Sequence, residues 1–123
     1  MFQRKILEKI KPFLQTHDII LFYGARQVRK TTLMKIIQER YIDLPSFSFD
    51  LEEQSDFEAL NQSPKLFIDY LKSYKGRDET QNIVIFIDEI QYLDNPTSLL
   101  KYIYDHYQTI KFIISGSSTL EIR

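Results

Sequence analysis

Three short stretches constrain this chain most: residues 19–23, 83–87 and 112–114 are apolar at every position. A strand with one wet face alternates apolar and polar side chains. Uninterrupted apolar runs instead suit strands covered on both faces, as in a parallel sheet between two helical layers. Segments with helical spacing lie between them. Phe2, Ile6, Ile10, Phe13 and Leu14 share a face within residues 2–15, with Arg4, Lys5, Glu8, Lys9 and Lys11 opposite. Leu33, Met34, Ile36, Ile37 and Tyr41 form a second apolar set, Leu66, Phe67, Tyr70, Leu71 and Tyr74 a third, and Leu99, Leu100, Ile103 and Tyr107 a fourth. Strands alternating with helices give an α/β fold, a three-layer α/β/α sandwich on a mostly parallel sheet.

Residues 45–50 alternate polar and aromatic, which places them on a half-exposed edge strand. Ser55-Asp56-Phe57-Glu58 matches a capping box with Ser55 as N-cap. Ser63-Pro64 and Asn95-Pro96 read as helix starts, and Gly76 as a helix stop. Right-handed crossovers bring the C-terminal ends of parallel strands to one edge, where such sheets bind ligands. Gly24, Asp88-Glu89 and Ser115 each follow an apolar run, so three polar clusters converge there by topology alone.

The chain has 123 residues, 43% hydrophobic and 27% charged, which suits one soluble domain over 1–123. Sixteen basic and seventeen acidic side chains give a net charge of -1, so no global signal points to nucleic acid or an anionic membrane. The lack of cysteine excludes disulfides, thiolate metal sites and cysteine nucleophiles, and it suits a cytoplasmic chain. No apolar run approaches the ~20 residues of a membrane span, and the N-terminus lacks a signal-peptide stretch. His17 and His106 read as structural.

The strand 19–23 leads into Gly24-Ala25-Arg26-Gln27-Val28-Arg29-Lys30-Thr31-Thr32, a glycine-initiated loop and a Lys-Thr-Thr that opens a helix. This is the setting of a phosphate-binding loop, in which backbone N–H groups and a lysine cradle phosphates. A cation at a helix N-terminus opposes the helix dipole, and a bound anion removes that conflict. Lys30 therefore reads as a phosphate ligand and Thr31 as a magnesium ligand. Asp88 would orient hydrated magnesium, and Glu89 would polarise a water aimed at the γ-phosphate. Adjacent carboxylates at a phosphate site repel the nucleotide unless a cation lies between, so the charges themselves imply Mg²⁺.

Residues Gly24 to Leu33 resemble the G-[PA]-R-Q-V-G-K-T-T-L Walker A segment of a family of bacterial and archaeal AAA-like P-loop ATPases. Ile85-Phe86-Ile87-Asp88-Glu89-Ile90-Gln91 resembles that family's Walker B, and Ile113-Ile114-Ser115-Gly116-Ser117-Ser118 its sensor-1 strand end. The resemblance implies a P-loop NTPase core whose strands run fifth, first, fourth, third, second, with 45–50 at the edge. It implies ATP and ADP as ligands, Mg²⁺-dependent hydrolysis with Glu89 and Lys30 as catalytic residues, and Thr31 and Asp88 at the metal. It also implies a γ-phosphate sensor among Ser115, Ser117 and Ser118, of which Ser115 is favoured.

Two departures from the family pattern stand out. Arg29 occupies the position of the second Walker A glycine, where the backbone approaches the phosphates, often with positive φ. A non-glycine residue forced there costs roughly 1 kcal/mol, so weakened binding and more strongly impaired hydrolysis are expected. The family's domain also continues past sensor 1 into a further strand, a helical lid and a C-terminal domain. The chain therefore reads as a partial domain truncated after the sensor-1 strand, with an open apolar sheet edge suited to self-association. Two alternatives stay open: a hydrolysis-deficient nucleotide-binding or interaction module, and a P-loop small-molecule kinase. A GTPase is disfavoured because no [NT]-K-x-D motif occurs. Arg26 reads equally as a transition-state arginine or as a brace for the loop.

Overall fold

The computed structural model describes residues 2–24, 28–78 and 80–117. The elements alternate as the apolar pattern requires: α1 (Phe2–Ile10), β1 (Ile20–Gly24), α2 (Val28–Arg40), β2 (Ser46–Asp50), α3 (Gln54–Leu60), α4 (Pro64–Tyr74), β3 (Ile83–Asp88), α5 (Pro96–His106) and β4 (Ile110–Ser117). Short 3-10 turns follow α1 at Lys11–Phe13 and β3 at Ile90–Tyr92. The four strands pair in the order β1-β4-β3-β2, every pair parallel, with β2 at one edge as expected.

The alternation of side chains along β3 divides the interior into two cores. Ile83, Ile85 and Ile87 face one side, with Phe49, Phe112 and Ile114 from the neighbouring strands. There they meet Leu60 of α3, Phe67 and Leu71 of α4, and Leu99 and Ile103 of α5. Val84 and Phe86 face the other side with Ile113, against Leu7 of α1 and Leu33, Met34 and Ile37 of α2. A continuous apolar run is what a strand clad on both faces needs, and each fully buried side chain here contributes about 1.5–3 kcal/mol. The layers are α1 and α2, the sheet, then α3, α4 and α5.

Several local expectations change. The first helix is shorter than residues 2–15, because Pro12, which lacks an N–H, diverts the chain into the 3-10 turn. Leu7 and Leu14 anchor this segment, whereas Phe13 is exposed. The capping box at Ser55 does not form. Helix α3 starts two residues earlier, behind Glu53, which makes no side-chain cap, and Gln54 Nε2 bonds Glu58 Oε2 instead. Ser63 does cap α4, accepting from the Leu66 N–H at 3.2 Å. Gly76 stops that helix with φ of 70°, a left-handed geometry that suits glycine, and the Arg77 N–H closes back on the Leu71 carbonyl.

Strand β1 pairs only with β4 among the described residues, and Leu21 and Tyr23 stand 48% and 51% exposed. Its apolar run is therefore covered on one side in this structure, not on both. At the opposite end of the sheet from the strand tips, Lys111 Nζ donates to the Phe13 carbonyl at 2.6 Å and to the Asp18 carbonyl. This ties the segment between α1 and β1 to the start of β4. Burial lowers the Lys111 pKa to about 8, against the opposing pull of Asp18.

Candidate nucleotide site

The C-terminal strand ends meet the start of α2 at one edge. Gly24 closes β1 in register with Ser117 of β4, and Ile87 pairs with Ile114, so Asp88 comes alongside Ser115. Val28, Arg29, Lys30, Thr31 and Thr32 are the first five residues of α2, whose first turn holds no acidic side chain. Two bonds fasten this helix start to the sheet. Lys30 Nζ donates to the Gly116 carbonyl at 2.5 Å, and Thr31 Oγ1 donates to Asp88 Oδ2 at 2.7 Å. Thr32 is exposed on the helix surface. Ala25, Arg26, Gln27 and Ser118 lie outside the described residues.

Arg29 is part of helix α2, and among the described non-glycine residues only Glu89 has positive φ. The left-handed strain expected at Arg29 is therefore absent. The helix starts before it and fixes its backbone in the ordinary right-handed well.

The strained residue is Glu89, at φ 64° and ψ 56°, where the chain leaves β3 for the 3-10 turn. A left-handed non-glycine residue costs about 1–2 kcal/mol and persists only when its surroundings fix it. Here the Glu89 N–H donates to Ser115 Oγ at 3.0 Å, and the same hydroxyl donates to Asp88 Oδ1. One buried serine thus orders both consecutive carboxylate residues. Asp88 accepts from Ser115 through one oxygen and from Thr31 through the other.

Two participants were not assigned a role from sequence. Gly116 supplies the carbonyl that Lys30 reaches, and its missing side chain matters: a Cβ there would sit 3.1 Å from both Ile90 Cγ2 and Tyr23 Cδ1. Gln91, quoted above only within a motif, donates from Nε2 to Glu89 Oε1 at 2.6 Å and accepts from the Ser117 N–H at 3.0 Å. The signal for Gln91 was its position two residues after Glu89, where a turn folds it back. Ser117 is buried beside it.

A cleft of about 260 Å³ opens beside Thr31 and Asp88, lined also by Lys35, Gln38, Ser48, Asp50 and Asp56. A larger one, about 940 Å³, lies elsewhere, between α1, β1 and α5, and is lined by none of the candidate phosphate- or metal-binding residues. The histidines lie away from the site. His17 stacks on Tyr104 and hydrogen-bonds its carbonyl, and His106 does the same with Tyr102.

Comparison with known proteins adds an independent line. A family model described as an AAA domain matches residues 16–123. Among solved structures, PCH-2 of C. elegans superposes with a TM-score of 0.55 at 15% identity, covering 98% of this chain and 39% of that one. AMPPCP-bound DnaA from Aquifex aeolicus superposes at 0.50 with 14% identity, covering 94% of this chain and 38% of that one. The chain thus spans about two-fifths of the length of either structure. Among curated proteins, none matches.

Proposed function

This chain belongs to the AAA-domain family, a nucleotide-binding ATPase-type fold, and from that premise we propose that it binds Mg·ATP at the strand-end edge and hydrolyses it slowly. The observation that carries this reading is the pair of bonds from the start of α2, Lys30 to Gly116 and Thr31 to Asp88. They bring one cation, one hydroxyl and one carboxylate to the end of a helix whose first-turn N–H groups favour anions.

In this reading residues 24–32 cradle the phosphates, with the Lys30 ammonium set against them. Thr31 and Asp88 offer two hard oxygen donors 2.7 Å apart, a donor set that fits magnesium. When bound, Mg²⁺ would screen the phosphates from Asp88 and Glu89 and neutralise charge developing in the transition state. Glu89 takes the proton of the attacking water as the new O–P bond forms and the bond to the leaving diphosphate breaks. Ser115 and Ser117 stand at the tip of β4, the place of the γ-phosphate sensor, and Ser115 also holds Asp88 and the Glu89 backbone.

Arg29 is the reason for slow turnover. Because its backbone is helical, the effect falls on the space and charge around the phosphates and not on backbone strain. Arg29→Gly should tighten nucleotide binding and raise turnover, and equal affinity and rate in both forms would contradict this. The same residue favours a second reading, a nucleotide-binding module without hydrolysis. Phosphate release by the wild type and by Glu89→Gln tests the two. Release that falls in Glu89→Gln with binding kept supports the ATPase. Binding without release from the wild type selects the module, and no binding removes both.

A further inference from the structure

We infer that Gln91 is a positioning residue for Glu89, tying its carboxylate to the tip of β4. The inference rests on the reading of Glu89 as the residue that takes the water's proton. It is carried by two bonds through one side-chain amide: Nε2 to Glu89 Oε1 at 2.6 Å, and Ser117 N to Oε1 at 3.0 Å.

The chemistry of the partners fixes the orientation of that amide. A carboxylate only accepts and a backbone N–H only donates, so rotating the amide by half a turn breaks both bonds at once. Gln91 is 8% exposed, which leaves little water to replace what such a rotation would lose. Its backbone is equally constrained, inside the 3-10 turn Ile90–Tyr92, where the Tyr92 N–H bonds the Glu89 carbonyl. The amide is therefore a fixed, polarised support with its donor end toward Glu89.

A glutamate side chain otherwise samples several staggered rotamers, of which few aim a carboxylate oxygen at one point. The Gln91 bond engages Oε1 and leaves Oε2 to receive a proton. The Glu89 backbone is meanwhile tied to Ser115. Both anchors of Glu89 thus lie on β4, at Ser115 and, through Gln91, at Ser117, and Lys30 reaches the residue between them, Gly116. The tripeptide Ser115-Gly116-Ser117 is the common support of the phosphate-binding cation and the base. A shift at this strand tip would move both.

A glutamine serves here where similar residues do not. Glutamate keeps an acceptor for the Ser117 N–H but sets a second carboxylate against Glu89. Leucine fills the space and makes neither bond.

Two measurements on the full chain test the role. First, Gln91→Glu and Gln91→Leu are expected to lower kcat for ATP hydrolysis by about 10- to 100-fold, as misplacement of a general base does. The affinity for Mg·ATP should stay within about twofold. An unchanged kcat, or affinity lost in step with kcat, would overturn the positioning role. Second, amide hydrogen exchange at Ser117, read without nucleotide, forms a cycle. Glu89→Ala should speed exchange when Gln91 is present and add nothing in Gln91→Leu. Additive effects would overturn the coupling. If the wild type neither binds nor hydrolyses ATP, the ATPase reading fails, and the exchange cycle still decides whether Gln91 ties Glu89 to β4.

Discussion

Thr31 Oγ1 donates a 2.7 Å hydrogen bond to Asp88 Oδ2, joining the first turn of α2 to the end of β3 across 57 positions of sequence. The bond uses the hydroxyl proton and leaves the threonine oxygen's lone pairs for a cation. Thr31→Val keeps the side-chain shape and removes this oxygen. Titration of the nucleotide with and without magnesium is expected to show Mg·ATP affinity lowered about tenfold or more, and metal-free affinity nearly unchanged. Thr31 is exposed, so the melting temperature should move little.

Glu89 is held in the left-handed region by bonds to β4 and to Gln91. Replacing it with alanine keeps the backbone penalty, whereas glycine removes it. Glu89→Gly is therefore expected to be more stable than Glu89→Ala by about 1 kcal/mol in urea unfolding, and neither variant should release phosphate. Alanine as stable as glycine would show that the turn carries no strain.

Lys111 gives the fold a pH dependence with a definite sign. Burial places its folded pKa at about 8, below the ordinary value of 10.5, so between these limits the unfolded chain binds more protons. The cost of burying the charge is fully present below pH 8 and disappears as pH rises toward 10.5. The stability of the wild type relative to Lys111→Met should therefore climb across that interval and stay level below it. Parallel curves from chemical denaturation at a series of pH values would contradict the assignment.

The layers, the strand ends and the convergence of Lys30, Thr31, Asp88, Glu89 and Ser115 were legible because apolar runs and turn residues report burial and chain reversal directly. What was not legible depends on choices a linear pattern leaves open. Ser55 and Glu58 satisfy a capping box, yet tertiary packing starts α3 at Gln54 and draws Glu58 to Gln54. Arg29 breaks a glycine pattern, and only the backbone shows that the helix absorbs it while the strain falls on Glu89. Gln91 is one polar residue in an apolar turn, and its function depends on Ser117, a partner 26 positions away.

The most direct measurement is calorimetric titration of Mg·ATP into the wild-type chain and into Lys30→Ala. The charge at the start of α2 is the one element of the proposed site that both phosphate binding and the Gly116 contact require. Saturable binding by the wild type, weakened about tenfold or more in Lys30→Ala, is the expected result. No binding by the wild type, or equal binding by the two, would contradict a phosphate site at Lys30.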